Sequence, residues 1–192
     1  MSIQTRRELE RAERERLIVT AARELAETEG WDAVTTRRLA AEIEYSQPVL
    51  YSHFKGKGAI MAAVAVRGFA GPAEEQRAAR TEASDPSGTL VAVGAAYTEF
   101  GERRPALYDA MFTHAADLPF ATPEAPPALG DAFGEPHRTI RPLAGDDDQG
   151  ILTETFWSGP HGLVTLMRSG RLPREGHDRR LSLLIGRFAP PS

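Results

Sequence analysis

Between Thr35 and Lys57 the chain concentrates side chains suited to one kind of chemistry. Thr35, Thr36, Ser46 and Tyr51 carry hydroxyls that can donate to phosphate oxygens, while Arg37, His53, Lys55 and Lys57 supply cationic or protonatable nitrogen. Gln47 can bond bidentately to an adenine edge and Val49 can touch a thymine methyl. Pro48 sits beside them and is tolerated in a helix only near its first turn, where a missing amide hydrogen is without cost. Groups of this kind, packed into so short a stretch, fit contact with duplex DNA. A second reading stays open for some of them: Tyr51 and His53 pack between helices, and the lysines are merely solvated.

The elements that must carry these groups can be read around them. VTTRRLAAEIEYSQPVLYSHFKGKGAI, Val34 to Ile60, reads as two short helices broken by a tight turn. Thr35 or Thr36 caps the first, which turns Leu39, Ala40 and Ile43 inward against Trp31 and Val34. Ser46 caps the second, with Leu50 and Phe54 inward and Gln47, Val49, Tyr51, Ser52 and His53 outward. That pattern predicts a helix-turn-helix whose second helix enters the major groove. Upstream, Leu9, Ala12, Leu17, Ala21 and Leu25 recur every three or four residues, predicting an amphipathic helix over Arg6 to Glu29 stopped by Gly30. Its Arg/Glu run reads as a solvated face or an arm; the other reading sends Arg6, Arg7 or Arg11 to phosphate or minor groove.

Composition sets the frame. A length of 192 residues with 41% apolar content suffices for a real core. The absence of cysteine removes disulfides and thiolate sites from consideration. Net charge is −4, which argues against a protein held to nucleic acid by bulk charge. From Met1 to Ile60 ten basic side chains face ten acidic ones, so any basic surface there is a local patch. No apolar h-region precedes RRELERAERER and no run approaches the roughly 20 apolar residues of a membrane span, so the expectation is a cytoplasmic protein without membrane contact.

The stretch TTRRLAAEIEYSQPVLYSHFKGKGAI resembles the signature of the TetR/AcrR family of bacterial transcriptional regulators, through Thr36, Leu39-Ala40, Leu50-Tyr51, His53-Phe54 and Lys57. The resemblance covers roughly Leu17 to Phe69. It implies that Thr36 and Arg37 meet DNA at the start of the second helix. It further places Gln47, Pro48, Val49, Tyr51 and His53 on a recognition helix and Lys57 on phosphate. In the family a fourth helix transmits ligand binding, and here AIMAAVAVRGF, after Gly56-Lys57-Gly58, reads as that helix. One position departs: where the family commonly has glycine at the turn, this chain has Glu44, at a cost on the order of 1 kcal/mol for a left-handed backbone.

Beyond Gly71-Pro72, helices are expected at Ser87 to Gly101, Pro105 to His114, Asp146 to Ser169 and Arg174 to Phe188, and a further one near Ala128 to Ile140 inside a Pro- and Gly-rich stretch from Ala115 to Gly145. Leu152, Phe156, Gly159, Leu163 and Leu166 form one apolar stripe; Leu181, Leu184, Ile185 and Phe188 form another. Both could pair with their copies in a four-helix dimer interface, Gly159 and Gly162 permitting close approach, or bury within their own subunit. FWSGPHGLVTL, Phe156 to Leu166, resembles a Trp-x-x-x-His-Gly motif of one branch of TetR-like regulators, although Pro160 predicts a bend. Trp157 and His161 share a helical face and could line an effector cavity with Tyr97, Phe100, Tyr108, Met111 and Phe112; the alternative is that these aromatics are core.

The expectation is an all-α protein with a three-helix helix-turn-helix DNA-binding domain over 1–58 and a helical ligand-binding and dimerisation domain over 59–192. Its function would be that of a homodimeric transcriptional regulator, a repressor that binds a palindromic double-stranded operator and is released by a small molecule, without cofactor or metal. Two alternatives stand beside it: an architectural DNA binder without ligand response, and a small helical enzyme. The second finds no support at diagnostic spacing, since there is no HExxH, GxSxG, P-loop or paired carboxylate, and His114, Asp117, His137 and His161 stand isolated.

Overall fold

The computed structural model describes residues 3–114, 118, 119, 122 and 124–188, and among these the chain is helical with no strand. The helices are α1 (Ile3–Glu29), α2 (Thr36–Glu42), α3 (Gln47–His53), α4 (Lys57–Gly68), α5 (Ala70–Glu82), α6 (Pro86–Arg103), α7 (Pro105–Asp109), α8 (Pro127–Ile140), α9 (Gln149–Arg168) and α10 (His177–Ile185). They form two compact units, and the division is not a single cut of the chain. Unit 1 is Met1–Gly68 together with Arg104–Leu118; unit 2 is Phe69–Arg103 with Pro119–Ser192.

In unit 1 the start of each short helix reflects its caps. Thr35 is extended and its side chain accepts from the Arg38 amide at 3.1 Å, opening α2. Ser46 holds the equivalent place before α3 but its side chain makes no cap bond, so Pro48 in the first turn sets the start of the helix there. Between them Glu44 takes a left-handed φ of 56°, the backbone state for which glycine is favoured. Ile18, Ala22, Leu25, Val34, Leu39, Leu50, Ile60 and Val64 bury together as the core residues of α1 to α4. The α1 stripe is only partly buried: Ala21 and Leu25 go inward with Ile18, Val19, Ala22 and Ala26, whereas Leu9 is 56% and Leu17 40% exposed. The buried residues of α1 begin at Ile18, so the apolar periodicity before it is not matched by burial.

The segment after Arg104 is fastened into unit 1 by one buried and two partly buried polar bonds. The Glu27 carboxylate accepts from the amides of Ala106 and Leu107 at 3.1 and 3.0 Å, capping α7, and the Trp31 indole donates to the Ala106 carbonyl at 2.8 Å. Gly68 makes room for this segment, since a Cβ there would lie 2.6 Å from Leu107 Cδ1. After α7 the backbone widens into a π-helical turn, Ala110–His114.

Unit 2 packs α5, α6, α8, α9 and α10 around Leu90, Val93, Ile140, Phe156, Leu181 and Ile185. Here α5 occupies a stretch for which the sequence reading expects no helix. Pro72 stands in its first turn, where it breaks nothing, and the residues after it are strong helix formers. The two apolar stripes serve largely this chain's own core: Phe156, Leu181 and Ile185 are buried in it, with Leu152, Leu163 and Phe188 packed at its edge. Gly159 is spent internally, because a Cβ there would lie 2.4 Å from Leu184 Cδ2; Gly162 faces open space. Helix α9 runs through Pro160, and Asp148 caps its start by accepting from the Ile151 amide at 2.9 Å. Of the Pro-rich stretch from Ala115 to Gly145, residues 115–117, 120, 121 and 123 lie outside the described residues, while α8 stands at the expected helix.

Candidate nucleic-acid interface

Helix α3 presents Gln47, Pro48, Val49, Tyr51 and Ser52 on exposed positions, with Leu50 beneath them fixing the helix to the core. Arg37 on α2 and Lys55 after α3 are exposed as well. Thr36 joins the two helices: its Oγ1 lies 3.3 Å from the Tyr51 hydroxyl, which is 53% exposed at residue level. Hydroxyl, amide and guanidinium groups thus crowd one face with few protein partners to satisfy them. Such a face can donate to phosphate oxygens and to base edges at once.

Two expected contacts point elsewhere. His53 is turned inward, its side chain only 6% exposed, with Nδ1 3.3 Å from Glu15 Oε1 on α1. Burial works against the Glu15 charge, but hydrogen bonds from His53 and Arg11 outweigh it and hold its carboxyl below the usual carboxylate range. Lys57 reaches back to donate to the Trp31 carbonyl at 2.5 Å, so one of its three N–H groups locks the start of α4. Arg38, beside Arg37, forms a forked pair with Glu29, and that hydrogen bond raises its pKa. Thr35 uses its oxygen as the α2 cap. Sequence reasoning missed Glu15, Glu27 and Glu29, because their partners lie 38, 79 or 80, and 9 residues away and no local pattern announces them.

The seven residues expected around an effector divide between the two units. Tyr108, Met111 and Phe112 belong to unit 1; Tyr108 and Met111 are buried, and the Tyr108 and Phe112 rings meet at a centroid distance of 4.7 Å. Unit 2 holds Tyr97, Phe100, Trp157 and His161. There the Tyr97 hydroxyl bonds His161 Nδ1 at 2.9 Å, and the Trp157 ring lies 5.1 Å from that imidazole. Burial lowers the His161 pKa, which favours the neutral ring, whose tautomer sets which partner of the Tyr97 hydrogen bond donates. Phe100 is 1% exposed and is core.

The histidines imagined as acid/base groups have separate surroundings. His114 is exposed and edge-on to Trp31, whereas His137 lies 3.3 Å from the Thr153 hydroxyl. Asp117 lies outside the described residues. Among the described residues no three His or carboxylate side chains gather as a metal would need, and no helix is long and apolar enough to cross a membrane.

Comparison with known proteins bears on both ends of the chain. Residues 18–64 match the family described as bacterial regulatory proteins, tetR family, and residues 90–188 match the tetracyclin repressor-like C-terminal domain. YobS of Bacillus subtilis (strain 168), an uncharacterized HTH-type transcriptional regulator, is 32% identical over 103 residues, or 54% of this chain and 53% of YobS. The chain therefore spans about half the length of that relative. A solved structure of a Rhodococcus sp. RHA1 protein of unknown function superposes with a TM-score of 0.76 at 22% identity, covering 91% of this chain and 92% of the other. A TetR variant from Acinetobacter baumannii AYE in complex with minocycline gives 0.62 at 23% identity over 89% and 93% of the two chains. At such identities the two structures speak to the fold, and the family is carried by the sequence matches that flank and include the helix-turn-helix. With its C-terminal match alone extending over residues 90–188, the chain belongs to the TetR family of bacterial regulatory proteins.

Proposed function

We propose that this protein is a DNA-binding transcriptional regulator of the repressor type, with 1–58 as the reading head and 59–192 as the effector and dimerisation part. One observation carries the reading: α3 holds Gln47, Val49 and Tyr51 outward on a helix anchored by buried Leu50, with Thr36 hydrogen-bonded to Tyr51 beside them. Gln47 reads an adenine edge, Val49 packs on a thymine methyl, and Thr36, Arg37, Ser46 and Tyr51 hold phosphates. Pro48 sets the start of the helix. Thr35 acts through its cap, His53 through Glu15, and Lys57 through the Trp31 carbonyl with its remaining N–H groups turned to phosphate. The protein acts on its operator as a homodimer, since two copies of one short helix read a palindrome. Exposed Ile151 and Leu166 on α9 and Leu183 on α10 are the apolar positions left for a second copy.

Release follows from a small molecule entering among Tyr97, Trp157 and His161. Tyr108, Met111 and Phe112 sit on the segment that Glu27 and Trp31 clamp, and that segment is the route by which an effector signal reaches α1 within unit 1. Minocycline bound to a structural neighbour supports small-molecule control without naming the ligand here. Selection of sites from random duplex DNA with wild type and Tyr51→Ala tests the reading. A near-palindrome with half-sites about one helical turn apart, and weaker binding by the variant, is expected. Failure of any motif to enrich, with the variant equal to wild type, would leave an architectural role, for which binding should show little sequence preference and a steep salt dependence.

A further inference from the structure

In unit 2 a cleft of about 290 Å³ lies where the end of α5, the turn into α6 and the end of α8 meet, and its wall includes Arg80, Ser84, Asp85, Thr89, Arg138 and Thr139. The two arginines are held by one carboxylate. Glu135, its side chain 1% exposed, accepts from Arg80 Nε at 3.0 Å and from Arg138 Nη1 at 2.6 Å, and also from Arg77 Nε at 3.1 Å. Burial opposes the Glu135 charge, yet the arginine hydrogen bonds keep its pKa below the ordinary 4.5. Three guanidinium groups therefore crowd a single buried carboxylate and repel one another. Asp85 adds a second carboxylate, with Oδ1 accepting from the Gly88 amide at 2.8 Å, and the cluster still keeps one excess positive charge. Each guanidinium carries five N–H groups, and neither Arg80 nor Arg138 has a hydrogen-bond acceptor other than Glu135 among the described residues.

Arginines fixed by a buried anchor while their remaining donors face a cleft are preorganised for a forked interaction with an oxyanion. The hydroxyls of Thr89 and Thr139 donate to the carbonyls of Asp85 and Glu135, four residues back in each case, which leaves Ser84 as the hydroxyl donor at the wall. We propose that this cleft binds a small molecule through a phosphate or carboxylate group held between Arg80 and Arg138, with Ser84 donating alongside. Its volume lies at the lower edge of small-molecule sites, about 300–1,000 Å³, which suits a compact metabolite. None of these residues belongs to the aromatic group around His161, so the inference stands whether or not that group receives the effector.

The test is titration of the full chain with inorganic phosphate and, separately, acetate, at ionic strength held constant with chloride. Saturable binding of one or both is expected. Arg138→Gln should weaken it about ten-fold, the scale of one charge-assisted contact. Asp85→Asn keeps the cap yet removes a competing charge, so binding should tighten about five-fold. Phosphate above acetate assigns a phosphorylated ligand, and the reverse assigns a carboxylate. The unliganded melting temperature of each variant reports folding; should Arg138→Gln melt early, the Asp85→Asn arm decides by itself. No saturable binding of either anion, or equal binding by wild type and the folded variants, overturns the proposal.

Discussion

The outward face of α3 and the interior of unit 2 use polar side chains in opposite ways. On α3 the hydroxyls and amide of Gln47, Tyr51 and Ser52 are exposed and make few bonds inside the protein. In unit 2 several buried polar groups are paired: Tyr97 with His161, Thr98 with the His177 Nε2 at 3.0 Å, and Glu135 with its arginines, while Gln76 Oε1 and His177 Nδ1 are buried without a partner among the described residues. Buried polar groups must be satisfied by the protein, because an unpaired one costs roughly 1–3 kcal/mol. Exposed ones are satisfied by water until a partner arrives. The first kind holds a structure together and the second is available for recognition, so substitutions in the two regions should fail in different assays.

The largest effect is expected at Tyr51. Tyr51→Ala removes the ring and the partner of Thr36, and we expect a loss of DNA affinity of about ten- to hundred-fold, matching the 1–3 kcal/mol scale of a specific contact, with an unchanged melting temperature. A drop in melting temperature that accounts for the lost binding would erase the distinction between the regions. Gly159→Leu should do the reverse: with Leu184 Cδ2 2.4 Å from the position of a Cβ, unit 2 should lose about 1–3 kcal/mol by denaturant unfolding. DNA affinity of the folded fraction should change little.

A pH series sharpens the contrast. The His161 pKa is lowered by burial from an ordinary 6.5. Below pH 6.5 the unfolded chain takes up a proton that the folded ring refuses, so stability should fall as pH drops from 6.5 toward the folded value. Glu135 contributes in a separate window, because its lowered pKa means that its stabilisation is present above 4.5 and fades as pH falls through the folded value. His161→Phe should flatten the first decline and leave the second; thermal melts from pH 8 to 3 would show it, and identical profiles would refute the assignment. The smallest effect belongs to Glu44→Gly. Relief of the left-handed φ of 56° should add about 0.5 kcal/mol, net of glycine's greater chain entropy, in the same denaturant unfolding measurement.

The same contrast explains what was legible in the sequence. Helix starts at Thr35 and Pro48 and the inward Leu39, Ala40 and Leu50 announce themselves through local rules of capping and spacing. Exposure of Gln47, Val49 and Tyr51 comes from the same periodicity. His53 and Lys57 were legible as helix-end residues but not in their direction, which depends on Glu15 and on the Trp31 carbonyl, distant in sequence. Helix α5 was hidden because Gly71-Pro72 reads as a break, although a proline in the first turn leaves the rest of a helix intact. The apolar stripes of α9 and α10 were visible, but whether they face a second copy or their own core is decided by packing: Phe156, Leu181 and Ile185 go inward. The Glu135 cluster gave no signal, since Arg77, Arg80 and Arg138 are ordinary surface residues until α5 and α8 meet.

The central claim is that the outward residues of α3 read bases rather than simply attract phosphate. The most direct test measures wild type and Gln47→Ala on the selected operator and on versions of it changed one base pair at a time. The variant should become indifferent to one adenine position while keeping the wild-type penalties elsewhere, a coupling of about 1–3 kcal/mol confined to that position. A uniform loss across all operator versions, with no position singled out, would contradict it.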